Sequence, residues 1–562
     1  MTGRDSESLP TQRFIGVVGG VVALAALLGF AIIPIDSDDL FINIRGGELI
    51  WNTGKIASND PFSYTMSDRL WVNHEWIATV AVYLIHARYG FDGLRVYQML
   101  LIGLVFLILI AAAESARPGH PLIPLAAVLA AYAAADRYTV RAHLYQFLFT
   151  ALLMFVLVQL LNKRFGWRWA LPPLTVLWVN FHSGAVLLPA IMALVLFSQF
   201  VQRKLAASWP VECAWRQREW RAVGVMSVLT VPALLLNPFT YHSVLYPFQQ
   251  MGWDIYRHHV YEWMPIWNFR NLPMFWVFLA LLALFVAAAL ANRTSVNFTA
   301  VIVMAAYTWL AWRSVRFIDL FAVAWLPLFF IVLPRRRLGQ SWSRAVRLAV
   351  LAAVAVAGLW IWTQGYRISN VPRRPGTGLL AGAYPFAAFD FLDKVGVGGP
   401  MFNEYDLGSY IAYHCYPRRK VFIDGRHQLY PIEFYKKYLS VNHSDAQLRA
   451  VVDEYSINYF IMRNRPPTPR PQQVYRTLST SLDWRLVFWN DQCLIYLRNT
   501  DANRQIIDEQ ECVYYDPVYP DEFSILRNLP LKSAAVKEEL LRILRFDPGC
   551  VRAQQLVRTY FP

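Results

Sequence analysis

The sequence predicts a polytopic α-helical membrane protein of about eleven transmembrane helices, followed by a C-terminal extracytoplasmic α/β domain and a terminal helical hairpin. Three observations predict it. Of 562 residues, 56% are hydrophobic and only 16% are charged, which is more apolar than an ordinary soluble chain. Up to Gly365 the apolar residues come in runs of roughly twenty, the length that crosses a bilayer core when every backbone group bonds within its own helix. Beyond Gly365 the runs shorten to strand length and charges are mixed in evenly.

The first run, Phe14 to Pro34, is followed by Asp36-Ser37-Asp38-Asp39 with no small-residue cleavage site before it, so it reads as an uncleaved first span. Further spans are expected at 97–115, 121–135, 144–162, 169–181, 184–201, 222–236, 274–291, 297–312, 317–333 and 345–363. The fifth and sixth meet at Asn180-Phe181-His182-Ser183-Gly184, where one long element could break. Lys163, Arg164 and Arg168, then Arg203, Lys204, Arg216, Arg218 and Arg221, then Arg335-Arg336-Arg337 with Arg344 and Arg347, fall on alternate loops. Basic loops stay cytoplasmic, so the N-terminus is cytoplasmic and an odd span count carries the C-terminal domain outside. The expected divisions are a membrane domain over 1–365 with an external loop at 36–96, an α/β domain over 366–500 and a helical segment over 501–562.

The net charge of +15 follows from this loop bias and does not call for nucleic acid. Cys213 falls in a cytoplasmic loop. Cys415, Cys493, Cys512 and Cys550 fall in the C-terminal domain, where an even number permits disulfides if that domain is extracytoplasmic. Their spacing is not that of a structural metal site.

Directly after the first span, Asp36, Asp38 and Asp39 stand at a membrane surface ahead of Ile44-Arg45-Gly46-Gly47. On a helix from 38 to 50, Asp38 and Arg45 lie two turns apart on one face, which suits a base and a phosphate-binding cation. A solvated acidic cap on an interfacial helix accounts for the same pattern. Asn59-Asp60-Pro61-Phe62-Ser63-Tyr64-Thr65 reads as a turn. Trp71-Val72-Asn73-His74-Glu75-Trp76 then opens an apolar helix to about Tyr89, whose aromatics suit a membrane interface.

The acidic pair after helix one, the Arg-Gly-Gly segment, the Asp-Pro-Phe-Ser-Tyr-Thr turn and Trp-Val-Asn-His-Glu-Trp resemble the bacterial GT-C glycosyltransferases, a superfamily that uses lipid-linked sugars. Asn180-Phe181-His182-Ser183-Gly184, Asn237-Pro238-Phe239, Glu262-Trp263-Met264-Pro265 and Val421-Phe422-Ile423-Asp424-Gly425-Arg426 extend the resemblance over most of the chain in outline. It implies a multi-pass protein of the bacterial inner membrane. It implies a polyprenyl-phosphate sugar donor, and a glycan, lipid or protein acceptor activated by a carboxylate of the first external loop, where Asp38 and Asp39 match. Asp136 and Glu262 match further acids of the family by loop position, and some members assemble such acids around magnesium or manganese.

Inverting glycosyl transfer needs a carboxylate at the acceptor and cations at the departing phosphate. The arginines on the external side, against the topological bias, are Arg45, Arg137, Arg141, Arg313 and Arg316; such placement is costly and often functional. Arg313 and Arg316, beside a short turn, are the preferred pair. His74 and Glu75 are candidates for facing the substrate. His182, at a helix break, could bind metal or sugar hydroxyls or cap the helix. Glu262 and Trp263 offer a carboxylate beside a stacking ring, or belong to an interfacial aromatic belt.

In the terminal domain, strands are expected at 400–403, 420–424 and 457–462, a hairpin at 484–489 and 493–497, and helices at 385–395 and 444–455. Asp424-Gly425-Arg426 ends a strand, either as a site or as a structural ion pair. Residues 532–557 resemble one tetratricopeptide unit, which cannot stand alone and packs on the α/β domain or on a protein partner. A noncatalytic assembly subunit and a lipid-linked glycan flippase are the alternative functions. A flippase favours related halves and charged or broken helices near mid-membrane, and the sequence does not display them.

Overall fold

The computed structural model describes residues 8–204, 214–251, 260–293, 295–334, 344–380, 382–465, 472–519 and 522–562. Cys213 and Arg335-Arg336-Arg337 lie outside the described residues. The chain divides into two units, Met1–Ile35 with Val72–Gly378, and Asp36–Trp71 with Leu379–Pro562.

The first unit is helical. Its elements are α1 (Ser8–Gly29), α3 (Trp76–Ala116), α4 (Ile123–Ala134), α5 (His143–Leu161), α6 (Leu171–Phe181), α7 (Leu187–Lys204), α8 (Gln217–Ala233), α9 (Tyr241–Met251), α10 (Pro273–Ala291), α11 (Phe298–Arg313), α12 (Ile318–Val332) and α13 (Arg344–Gln364). A helix occupies every stretch expected to span. Among the described residues, six stretches are long and apolar enough to cross a membrane: Trp76–Ala116, His143–Leu161, Ser183–Lys204, Pro273–Ala291, Val315–Val332 and Arg344–Gln364. Val18–Gly29 and Phe298–Arg313 are shorter apolar helices, and α4 and α6 have 12 and 11 residues.

Helix α12 is apolar apart from Asp319 in its first turn and lies at the centre, in contact with α3, α4, α5, α10 and α11, as expected of a helix that is hydrophobic on nearly every side. Helices α1 and α13 pair closely where a Cβ at Gly358 would come within 2.8 Å of Ala26; small residues let helices approach in this way. Helix α3 changes direction at Gly90, whose φ of 62° and ψ of −158° leave the helical region. This separates the stretch beginning at Trp76 from the later apolar run, and only glycine holds that backbone without strain. The expected break between the fifth and sixth spans occurs at His182, which is extended, with φ −164° and ψ 140°, ahead of a tight turn at Ser183–Val186.

The second unit contains a four-stranded sheet, β1 (Met401–Asn403), β2 (Tyr459–Arg463), β3 (Trp484–Trp489) and β4 (Cys493–Arg498), in the order β1-β2-β4-β3. Strand β1 runs parallel to β2, with Phe402 opposite Phe460, and the other pairings are antiparallel. Residues 420–424, expected as a strand, are not one. Val421 makes an isolated bridge with Ser63, accepting from Tyr64 N–H and donating to Phe62 carbonyl, so its backbone bonds go to the 59–65 turn rather than to the sheet.

Residues 36–71, expected with the membrane domain, pack into this second unit. The reason is aromatic. Helix α2 (Asp38–Thr53) buries Phe41 against Tyr384, Tyr410 and Tyr413, with ring centroids 4.7, 4.9 and 5.3 Å away. Its partner helix is Tyr405–Cys415.

The terminal hairpin, Glu522–Phe546 and Val551–Tyr560, packs on the α/β part through Phe546 against Phe391 and Phe488. Glu539 accepts from the N–H groups of Val513, Tyr514 and Tyr515. Cys415, Cys493, Cys512 and Cys550 are free thiols.

Candidate active site

In the first unit, three short segments carry a cluster of guanidinium groups. Arg137 ends the turn after α4, Arg141 precedes α5, and Arg316 lies in the turn between α11 and α12. All three address Glu262, in the Tyr261–Trp263 turn. Glu262 Oε1 is 2.7 Å from Arg137 and 2.6 Å from Arg141, and Oε2 is 3.9 Å from Arg316. The turn is fixed by its backbone: Ser314 Oγ donates to the Glu262 carbonyl at 2.7 Å, and Val315 N–H donates to the Met264 carbonyl at 2.9 Å. Arg316 also lies over the Trp263 ring, 4.9 Å from its centroid, a cation–π contact.

Burial alone would raise the Glu262 carboxyl, but Arg137, Arg141 and Arg316 outweigh it and hold it well below the usual carboxylate range. It is an ionised counter-charge with both oxygens facing cations, a poor arrangement for taking up a proton. Asp136 is next to the cluster in sequence, and its Oδ2 accepts from Tyr261 hydroxyl at 3.1 Å.

Beside this cluster is an acid–imidazole group. His74 Nε2 is 3.4 Å and His182 Nε2 is 3.5 Å from Glu75 Oε1. His182 Nδ1 accepts from Gly184 N–H at 2.9 Å, which puts the ring proton on Nε2, toward Glu75. The His74 ring packs on Tyr246 with centroids 4.0 Å apart. Burial pushes the Glu75 carboxyl up, but its hydrogen bond to His74 and its electrostatic interactions with His74, His182 and Arg316 pull it down to about 2. Burial lowers His182 to about 3, leaving it neutral near pH 7.

The preferred arginine pair is split. Arg316 joins Glu262, whereas Arg313 is exposed at the end of α11 and lies over Trp309. Arg137 is the most buried cation of the cluster. Asp319, in the first turn of α12, was not singled out from the sequence; it is 3% exposed and lies within electrostatic reach of Arg137. Its signal was an acid inside an otherwise apolar run.

In the second unit, Asp38 and Asp39 open α2. Asp38 Oδ1 is 3.7 Å from Arg463, which also lies 3.5 Å from Asp406. Asp39 lies over Gly425, so close that a Cβ built there would overlap its Oδ1. Arg45 pairs with Glu48 and donates to the carbonyls of Tyr413, at 2.6 Å, and Tyr416, at 3.1 Å, so it ties α2 to the helix it packs on. Arg426 is held on two sides, by Asp424 at 2.6 Å and Asp60 at 2.7 Å, and lies over Phe62 and Trp71. Asp424-Gly425-Arg426 is thus a structural ion pair whose glycine makes room for Asp39. Among the described residues, no group of three or more His, Cys, Asp or Glu side chains could hold a metal ion.

No protein-family model matches the sequence. No curated protein matches it. Solved structures do. The archaeal oligosaccharyltransferase AglB from Archaeoglobus fulgidus, in complex with an inhibitory peptide and a dolichol-phosphate, is 11% identical. It matches over 95% of this chain and 83% of its own length with a TM-score of 0.55. The Archaeoglobus fulgidus oligosaccharyltransferase in complex with zinc and sulfate is 11% identical, over 96% and 83%, with a TM-score of 0.52. ArnT from Cupriavidus metallidurans bound to undecaprenyl phosphate is 12% identical, over 86% and 97%, with a TM-score of 0.48. The oligosaccharyltransferase matches establish that this chain shares their polytopic fold.

Proposed function

We propose that the protein is a membrane glycosyltransferase that moves a sugar from a polyprenyl-phosphate carrier to an extracytoplasmic glycan, lipid or protein. The observation that carries this reading is the convergence of Arg137, Arg141 and Arg316 on one carboxylate in a GT-C-like fold. Three guanidinium groups in a partly dry setting suit a phosphoryl oxygen that gains charge as the glycosidic bond breaks. That the oligosaccharyltransferase was solved with a dolichol-phosphate supports the same donor chemistry here.

In this reading an aspartate at the start of α2, Asp38 or Asp39, aligns and deprotonates the acceptor. The acceptor attacks the anomeric carbon, the bond from that carbon to the phosphate oxygen breaks, and the arginines take up the charge left on phosphate. Glu262 balances the clamp, and Asp136 with Tyr261 adds a second polar contact. Trp263, His74, Glu75 and His182 line the sugar-facing side, where an aromatic ring and imidazoles suit hydroxyl groups. The N-terminus is cytoplasmic in a bacterial inner membrane and the α/β residues are extracytoplasmic.

The test is to purify the chain, extract its lipids and measure polyprenyl phosphate and its sugar esters by mass spectrometry. Polyprenyl phosphate added to the purified protein and retained by wild type but not by Arg141→Ala supports the reading; failure of well-folded wild type to retain the added lipid overturns it. Asp38→Asn with Asp39→Asn then separates a transferase from an assembly subunit, because unchanged glycan output at normal protein level argues for the latter.

A further inference from the structure

Among the described residues of the first unit, Glu262 has three cations facing it. Its Oε1 serves both Arg137 and Arg141, and Arg316 faces its Oε2. One carboxylate has few lone pairs to offer two forked guanidinium groups, each with five N–H donors. The shortfall is visible, since Arg137 Nε is buried with no hydrogen-bond partner. A phosphoryl group, with its terminal oxygens arranged tetrahedrally, offers more acceptors to the same donors.

The carboxylate is also reachable. The Glu262 side chain is 20% exposed, and Arg141 and Arg316 are each 23% exposed, so an incoming anion has access without unfolding the turn. The backbone of that turn is anchored independently of the side chain, through Ser314 and Val315, so Glu262 can leave the arginines while the peptide around it stays in place.

We propose that Glu262 is an internal stand-in for the donor's phosphate: it occupies the Arg137, Arg141 and Arg316 clamp in the resting protein and is displaced when a polyprenyl phosphate binds. This deepens, and rests on, the proposed use of those arginines as a phosphate clamp. The occupant keeps three cations from repelling one another and from capturing unrelated anions, and it sets a threshold that a ligand must exceed. After transfer, return of the carboxylate helps expel the carrier phosphate, which would otherwise dissociate slowly from three arginines.

The experiment uses the full chain in nanodiscs, with a polyprenyl monophosphate as the titrated probe and an uncharged polyprenol as control. Wild type, Glu262→Gln, Arg141→Ala and the double variant are compared. Glutamine keeps the shape and one acceptor oxygen but removes the competing charge. The expected result is that Glu262→Gln binds the probe at least about fivefold tighter than wild type, that Arg141→Ala binds it about tenfold or more weaker, and that the polyprenol binds all four alike. A structure of wild-type protein with the probe bound provides a measurement that needs no variant: Glu262 should have left hydrogen-bonding distance of Arg137 and Arg141.

Equal or weaker binding by Glu262→Gln, or a bound structure in which Glu262 keeps both arginine contacts, overturns the stand-in role while leaving the clamp intact. Failure of wild type to bind the probe, or binding that Arg141→Ala leaves unchanged, overturns the clamp reading and the stand-in role with it.

Discussion

Arg426 reaches Asp60 across 2.7 Å, joining the 59–65 turn to a residue made late in the chain. The same guanidinium holds Asp424, and neither carboxylate is exposed by more than 2%. Both acids depend on it for compensation, and burial without a partner is costly for a charge. Replacing Arg426 by Ala is therefore expected to destabilise the second unit by about 3–5 kcal/mol. The measurement is thermal unfolding in detergent with parallel expression yield; a melting temperature within a degree of wild type would contradict the assignment.

Gly425→Ala probes Asp39 without touching it. A methyl at 425 has no room beside Asp39 Oδ1, and Ser409 Oγ lies 3.2 Å from the same point. The carboxylate is the mobile partner, so it moves. Transfer is expected to fall by roughly tenfold or more, with unfolding close to wild type. Asp39→Asn should cost more, on the order of a hundredfold. If Gly425→Ala transfers sugar at the wild-type rate, Asp39 does not need its observed position.

Removing one cation from the clamp has a different signature. Arg137→Met takes away the 2.7 Å partner of Glu262 and leaves Arg141 and Arg316. By analogy with loss of one donor to a developing oxyanion, transfer is expected to drop by about a hundredfold, with KM for the lipid donor raised as well. Steady-state kinetics over a donor titration reads both. An unchanged rate would remove Arg137 from the machinery.

Glu75 gives a pH prediction. Its folded value of about 2 lies below the ordinary 4.5, so the stability it contributes is fully present above the unfolded value. That contribution is lost as pH falls through the folded one. The gap in melting temperature between wild type and Glu75→Gln should be constant above about pH 5.5 and should shrink between pH 4.5 and 2. A gap that instead widens on acidification would show that Glu75 is held protonated.

Most of the membrane unit could be read from the sequence because one rule dominates it. A helix must be apolar for about twenty residues to cross lipid, and α3, α5, α10 and α13 announce themselves in that way. Glu262 with Arg137, Arg141 and Arg316 could be placed on turns between helices, but their meeting could not be foreseen, since it depends on how separate turns pack. The split of Arg313 from Arg316 shows the same limit: three residues apart, they diverge because Ser314 ends one helix in extended geometry before the next turn starts.

The second unit was less legible for a specific reason. Val421 to Asp424 has the composition of a sheet strand, but the chain offered it a partner that no local pattern reveals, the turn around Ser63. Likewise Phe41 in α2 reads as interfacial in sequence and is fully buried among tyrosines more than three hundred positions later. Long-range pairing of this kind leaves no period in the sequence.

Because residues 36–71 belong with residues 379–562, the order of synthesis matters. The ribosome delivers α2, Asp60 and the Ser63 turn first, and their partners only after the remaining spans have been made. During that interval Phe41 and Phe62 have no tyrosine shelf to enter, and Asp60 has no arginine. A truncated gene that begins at Leu379 would inherit the converse defect, with Arg426 and the aromatic wall around Tyr410 left open to water. A secreted form of this unit would need the early segment spliced back on, and its folding would then no longer wait for the membrane.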